Sequence, residues 1–281
     1  MFSKPVRRAI VLVAAITLLG TAWSVVAGTY LDTSNHLVTN LPHPHSASSY
    51  FADKKNPFNT IFVKRAWGWT TVALAANLYA SPRAVPTRVW RWVLATACWA
   101  SFALWFFGPS LSTRFAVLSG AECIVVLPAE GAGAVTVPQE FCVQRQPLSV
   151  NEHAALFQQA FIGNELPNDW RAIPKLTRGH DISGHVFLLS LSILTLVDDL
   201  ATAAPFSGEL NLQSAAAGAS ALLCALWCWM LLMTSVYFHA PIEKISGLVV
   251  GVSAYLITKV PPPFDNTARA VQVPQLGKKD Q

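Results

Sequence analysis

Six apolar runs divide this chain, at residues 9–28, 61–80, 90–108, 183–200, 216–238 and 245–260. Each approaches or exceeds the length needed to cross the hydrocarbon core of a bilayer, roughly 30 Å. Lipid offers no hydrogen bonds to a bare backbone, so runs of this kind are read as helices. Composition agrees: hydrophobic residues make up 53% of the chain and charged residues 12%, about half the charged share of a soluble domain. The expected fold class is all-α, a polytopic membrane protein with about six transmembrane helices forming one domain over residues 1–281.

Charge sets the orientation. Lys4, Arg7 and Arg8 precede the first run, and Arg83, Arg88 and Arg91 surround the link that holds Pro82 and Pro86. Lys and Arg accumulate on the cytoplasmic side, so both segments are assigned there. The first run is too long for the apolar part of a signal peptide, and Ala27-Gly28 is a weak cleavage site, so it is taken as a span. Alternation makes 29–60 and 109–182 luminal loops and 261–281 a cytosolic tail, with both termini cytosolic. The ending Lys278-Lys279-Asp280-Gln281 resembles a dilysine signal that returns membrane proteins to the endoplasmic reticulum. The net charge of +5 forms no basic stripe, and no nucleic-acid partner is expected.

Several side chains have a bland reading that is preferred. His36, His43 and His45 lie among prolines in the first luminal loop, which favours a solvated segment over a metal site. Lys64 and Arg65 suit snorkelling to headgroups more than phosphate binding, and Trp67 and Trp69 suit an interfacial belt. The run from Ala116 to Leu127 is too short to span and reads as a strand, a packed segment or an interfacial element. Ser149 and Glu152 have capping-box spacing, which predicts a short helix through Phe161 with His153 on its surface. Asp198 and Asp199 read as solvated at the cytosolic end of the fourth run. Cys123 and Cys142 share the second luminal loop, where a disulfide and two buried thiols are equally compatible with the sequence. The five cysteines have no metal-ligand spacing, and neither a metal nor another cofactor is expected.

Chemistry concentrates at two junctions. Gly179-His180-Asp181-Ile182-Ser183-Gly184-His185 runs into the fourth span, and Tyr237-Phe238-His239-Ala240-Pro241-Ile242-Glu243-Lys244 follows the fifth. Ionisable residues at membrane depth mark functional sites by default. Antiparallel neighbours would hold His185 and His239 at one depth, on the luminal side. Imidazole exchanges protons near neutral pH, so two of them can divide nucleophilic and acid work. Glu243 can orient the His239 ring, as carboxylates do in other histidine-centred sites. Ser183 and Gly184 stand at a helix start, where backbone N–H groups favour phosphate, and Asp181 adjoins them in a supporting position. Lys175, Arg178 and Lys244 supply cations for a transferring phosphoryl group.

The two histidine segments resemble the signatures of the fat storage-inducing transmembrane family, and Asn59-Thr60-Ile61-Phe62-Val63-Lys64 with Trp67-Gly68-Trp69-Thr70 resembles its upstream segment. That family is similar to lipid phosphate phosphatases, whose Ser-Gly-His motif is matched by Ser183-Gly184-His185. Their second histidine, with a carboxylate four residues later, is matched by His239 and Glu243. The resemblance implies that His239 is the nucleophile, forming a phosphohistidine, and that His185 protonates the leaving group. This sequence departs from the phosphatases at Met233, which replaces an arginine six residues before the nucleophile, and it lacks a clear upstream Lys/Arg-Pro motif. The activity implied is that of an acyl-coenzyme A diphosphatase facing the lumen of the endoplasmic reticulum. It would cleave fatty acyl-CoA to acyl 4′-phosphopantetheine and adenosine 3′,5′-bisphosphate, in support of lipid-droplet formation and phospholipid balance. Membrane lipids, neutral lipid included, are the other expected partners. The rival readings are a non-enzymatic neutral-lipid-binding protein and a transporter, although the internal repeats of transporters are missing.

Overall fold

The computed structural model describes residues 2–31, 43–103, 109–127, 134–149, 151–157, 170–203 and 211–263. Six helices form a bundle: α1 (Lys4–Val26), α2 (Ala66–Ala80), α3 (Val85–Ala103), and, after an intervening insertion, α7 (Gly184–Thr202), α8 (Leu212–Tyr237) and α9 (Pro241–Ile257). The insertion carries α4 (Leu111–Leu118), α5 (Gln139–Gln144) and α6 (Ala154–Phe157) with five short strands, β1 (Glu122–Val126), β2 (Ala134–Thr136), β3 (Leu148–Ser149), β4 (Arg171–Ala172) and β5 (Lys175–Thr177). These strands correct the all-α expectation.

Among the described residues, α1, α7 and α8 are long and apolar enough to cross a membrane. The other bundle helices fall short of that measure for separate reasons. With 15 residues α2 is only about 22 Å long, although helical turns over Phe58–Arg65 lead into it. Arg88 and Arg91 dilute α3, and α9 has 17 residues.

The centre of the bundle is α7. Two thirds of its apolar window (67%) is buried, against 33% for α1 and 28% for α8, and it packs against each of the other five bundle helices. Its sequence explains this, because Leu, Ile, Val and Phe occupy every face, and a helix apolar all round belongs inside. Its closest partner is α9. A Cβ on Gly247 would lie 2.6 Å from the Ser183 carbonyl oxygen, and one on Gly251 would lie 2.8 Å from that of Phe187. Two glycines four apart thus let the backbones touch, as small residues do in membrane helix pairs. This contact brings the start of α9 against the start of α7.

The two caps at that end are built differently. Ser183 is the N-cap of α7, its Oγ accepting the Val186 N–H at 3.4 Å. Pro241 is the first residue of α9, where a missing N–H costs nothing, so the proline starts that helix without kinking it.

At the opposite end, Asp198 and Asp199 are buried rather than solvated. Asp199 receives Nε and Nη2 of Arg88 at 2.6 and 2.9 Å and Nδ2 of Asn77 at 3.1 Å. Asp198 pairs with Arg91 at 2.8 Å and Lys259 at 2.5 Å. Each buried carboxylate is therefore matched by cations, the condition under which burial of charge is tolerated. Trp67 is likewise no belt residue: it is 4% exposed and stacked on Trp99, whereas Trp69 is exposed as a belt would require.

In the insertion, β2, β1 and β5 form an antiparallel sheet in that order, with Ile124 opposite both Thr136 and Lys175. The segment Ala116–Leu127 is thus split between the end of α4 and strand β1. Cys123 on β1 and Cys142 on α5 form a disulfide, with Cα atoms 5.8 Å apart. At the predicted capping box, Ser149 Oγ accepts the Glu152 N–H at 3.3 Å. The reciprocal bond differs: Nδ1 of His153, not the Glu152 carboxylate, takes the Ser149 N–H at 3.4 Å. The remainder of that predicted helix, through Phe161, lies outside the described residues, as do His36 and the dilysine ending.

Candidate active site

The turn between α8 and α9 builds the first half of the site. His239 adopts a left-handed backbone conformation, φ 61°, which costs an L-residue on the order of 1 kcal/mol. The reversal places Glu243 at the third position of α9, where its Oε2 accepts the Ala240 N–H at 2.9 Å and lies 3.3 Å from Nδ1 of His239. The segment between them is not helical throughout, as the four-residue spacing alone suggests; the capping geometry makes the contact. Oε1 of Glu243 accepts the Asp181 N–H at 3.2 Å, and the Glu243 carbonyl accepts the Ser183 N–H at 3.1 Å. Glu243 is 4% exposed, and its carboxylate oxygens accept from the Ala240 and Asp181 backbone. An ionised carboxylate only accepts, so Nδ1 of His239 carries the proton and Nε2 the lone pair.

His185, at the second position of α7, meets His239 across a cavity of about 180 Å³. The wall also includes Lys54, Asn56 and Asn59 from the segment before α2, Lys64 from the turns that lead into α2, and Met230, Met233 and Thr234 from α8. Lys64 therefore faces this cavity instead of serving only the headgroups. Met233 lies in the wall itself, so the substituted arginine of the phosphatase pattern is absent from a place where its charge would reach the site. Gly184, beside His185, is open: a Cβ there would meet nothing within 4 Å.

A second cavity, of about 320 Å³, adjoins the first and shares Lys54, Phe238 and His239 with it. Its other polar walls are Ser112, Thr113, Lys175, Thr177, Arg178 and Asp181. The Asp181 side chain is 61% exposed, its Oδ2 3.9 Å from Nδ1 of His239. Lys54 has its pKa lowered, first by desolvation and then by the charge of Lys175.

The expected cations separate into two groups. Lys175 and Arg178 line the second cavity, with Arg178 also paired to Glu122 at 2.9 Å. Lys244 lines neither and is corrected as a phosphate ligand. It is fully buried, and its Nζ donates to Ser24 Oγ at 2.8 Å and to the Ser235 carbonyl at 2.7 Å, tying α1, α8 and α9 together. His180 turns away too, with Nε2 2.9 Å from Ser246 Oγ.

Lys54, Asn56 and Asn59 are wall residues that sequence reasoning missed. A signal existed: Asn56-Pro57 is a helix-start pair, and Asn56 Oδ1 does accept the Asn59 N–H at 2.8 Å. Asn59 Nδ2 in turn holds the Lys54 carbonyl at 2.9 Å. His43, in the same loop, is buried at 4% exposure, with Nδ1 accepting the His45 N–H and Nε2 2.7 Å from the Tyr237 carbonyl. It is neither solvated nor a ligand but pins the loop to the end of α8.

A family model described as fat storage-inducing transmembrane protein matches residues 47–218 and 209–258. The chain is similar to acyl-coenzyme A diphosphatase fit1 of Schizosaccharomyces pombe, with 31% identity covering 76% of this chain and 74% of the relative. It is similar to acyl-coenzyme A diphosphatase FITM2 of Xenopus tropicalis at 27% identity, covering 75% and 71%. Similarity to fat storage-inducing transmembrane protein 1 of Sus scrofa is also 27%, covering 74% of this chain and 63% of that protein. No solved structure matches the chain.

Proposed function

The chain belongs to the fat storage-inducing transmembrane protein family, and on that premise we propose that it is an acyl-coenzyme A diphosphatase. Its substrate is a fatty acyl-CoA, and its products are acyl 4′-phosphopantetheine and adenosine 3′,5′-bisphosphate. The observation that carries this reading is the meeting of two imidazoles in one cavity, with one ring fixed by a buried carboxylate.

Nε2 of His239 attacks one phosphorus of the anhydride, and the bond to the bridging oxygen breaks with its electron pair going to that oxygen. His185, protonated, gives the leaving oxygen its proton. Glu243 accepts the Nδ1–H throughout and stabilises the ring as positive charge develops on it. Water then attacks the phosphohistidine while His185, now neutral, takes a proton from it. The N–P bond breaks, its electrons return to Nε2, and both residues regain their starting forms. Lys64 and Lys54 offset the growing negative charge, and the missing side chain at Gly184 leaves room for phosphate beside the start of α7.

Six spans with cytosolic termini and a luminal site complete the proposal, in the membrane of the endoplasmic reticulum and in support of lipid-droplet formation and phospholipid balance. The Cys123–Cys142 disulfide supports an oxidising compartment on the face that holds the histidines. A second reading, binding of neutral lipid without catalysis, is favoured by a separate cavity of about 360 Å³ near Arg88 that includes Leu74, Leu78, Val89 and Trp92.

Purified wild-type, His185→Ala and His239→Ala proteins decide between them. The enzyme reading expects acyl-CoA cleavage by wild type, its loss in both variants, and lipid binding by all three. Wild-type protein that binds lipid and cleaves nothing establishes the second reading instead.

A further inference from the structure

His239 stands two residues beyond the last residue of α8, so whatever holds that helix end also decides where the ring lies. A helix leaves its last four carbonyls without the usual partners, and a left-handed residue just past the end commonly satisfies them. Here Phe238 is extended (φ −120°, ψ 157°), and the left-handed residue comes one position later, at His239 itself. Pro241, placed to donate to the Tyr237 carbonyl if the helix continued, has no N–H. Other donors fill the gap. The Thr234 carbonyl accepts the Phe238 N–H at 3.0 Å, and the Ser235 carbonyl accepts Lys244 Nζ at 2.7 Å. The segment that follows α1 supplies the rest: Thr29 Oγ1 donates to the Val236 carbonyl at 2.8 Å, and the Leu31 N–H donates to Tyr237 at 3.2 Å. Nε2 of His43 meets the same Tyr237 carbonyl at 2.7 Å.

Of these donors, His43 grips both residues that precede His239. Its Nδ1 accepts the His45 N–H at 3.1 Å, so the ring proton sits on Nε2 and is given to the Tyr237 carbonyl. Its ring meets Phe238 at 68° with centroids 5.7 Å apart, and Tyr237 edge-on at 5.9 Å. Phe238 in turn lines both cavities that share His239, whereas His43 lines neither of the two. The left-handed backbone of His239 is a strained conformation, and such conformations persist only where the surroundings hold them.

We propose, on the diphosphatase reading above, that His43 is a positioning residue for the nucleophile. By holding the Tyr237 carbonyl and the Phe238 ring it keeps His239 aimed at phosphorus, and it does so without touching the substrate.

The test is steady-state cleavage of oleoyl-CoA by purified full-length protein, at a temperature below the melting transition of every variant compared. His43→Phe keeps a ring beside Phe238 but has no donor for Tyr237. His43→Gln can place an amide N–H where Nε2 lies. Misplacing a reacting group by about 1 Å can cost 10²-fold in rate. The kcat of His43→Phe therefore falls about ten-fold or more, with KM within about two-fold of wild type. His43→Gln keeps kcat within about three-fold of wild type. His43→Asn, whose shorter amide does not reach Tyr237, repeats the Phe result and takes its place should that protein not fold. An undiminished kcat in His43→Phe or His43→Asn, an equal fall in His43→Gln, or a rise in KM alone overturns the proposal and leaves the diphosphatase reading standing. Wild-type protein that cleaves nothing removes both.

Discussion

Oε2 of Glu243 lies 3.3 Å from Nδ1 of His239 and is held there by the Ala240 N–H at 2.9 Å. One carboxylate therefore starts a helix and orients an imidazole at once. The His239 ring is positioned by the same bonds that define where α9 begins.

Glu243→Gln separates those two roles. The amide oxygen can still cap Ala240, but the amide also presents N–H groups, and these favour the opposite imidazole tautomer. The expected result is a fall in kcat of roughly 10³-fold with little change in KM. Steady-state kinetics on oleoyl-CoA check this, and thermal melting should move far less than in Glu243→Ala.

Lys244 answers to stability instead of substrate. Its removal leaves the Ser24 hydroxyl and the Ser235 carbonyl without their shared donor inside the bundle. Lys244→Ala should cost about 3 kcal/mol and lower the melting temperature clearly. Lys175→Ala, on an exposed strand, should not.

A pH effect follows from His43. Burial holds its pKa below the ordinary 6.5, the repulsion of His45 and Lys54 adds to this, and the Tyr237 and Thr29 backbone bonds oppose it. The unfolded chain then takes up the proton more readily than the folded one. The stabilising effect is fully present above pH 6.5 and is lost as pH falls through the lowered folded value. Melting temperature should drop between about pH 7 and pH 5, and His43→Gln should flatten that slope. An identical slope in the variant would assign the acid sensitivity to other groups.

The disulfide guards the insertion. Cys123 and Cys142 are 19 residues apart, and closing a loop of that size contributes about 3 kcal/mol. Cys123→Ser with Cys142→Ser should raise hydrogen exchange throughout β1. The bundle helices should keep their protection.

What could be read from the residues had a one-dimensional signature. The length of an apolar run marked each bundle helix, and the position of a histidine at the end of a run fixed its depth, so His185 and His239 could be paired without coordinates. Residues whose role depends on a distant partner were different. Asp198 and Asp199 look solvated until Arg88 and Arg91 arrive from α3 and Lys259 from the turn that follows α9. Lys244 resembles a phosphate ligand because it follows Glu243, yet the helix turns successive residues to different faces, and one meets His239 while the other meets Ser24. Lys54 was hidden for a further reason: a polar, proline-rich loop has no periodicity to show which residues fold back over the bundle. The short strands carried too few residues for alternation to register.

The central claim is that His239 attacks the anhydride while His185 serves the leaving group. Rapid alkaline quenching of protein turning over oleoyl-CoA, followed by peptide mass spectrometry, reads this directly. The account predicts a base-stable, acid-labile phosphoryl adduct on His239 that is absent in His239→Ala and whose decay is slowed in His185→Ala. Full turnover with no adduct on His239, or an adduct on another residue, would contradict it.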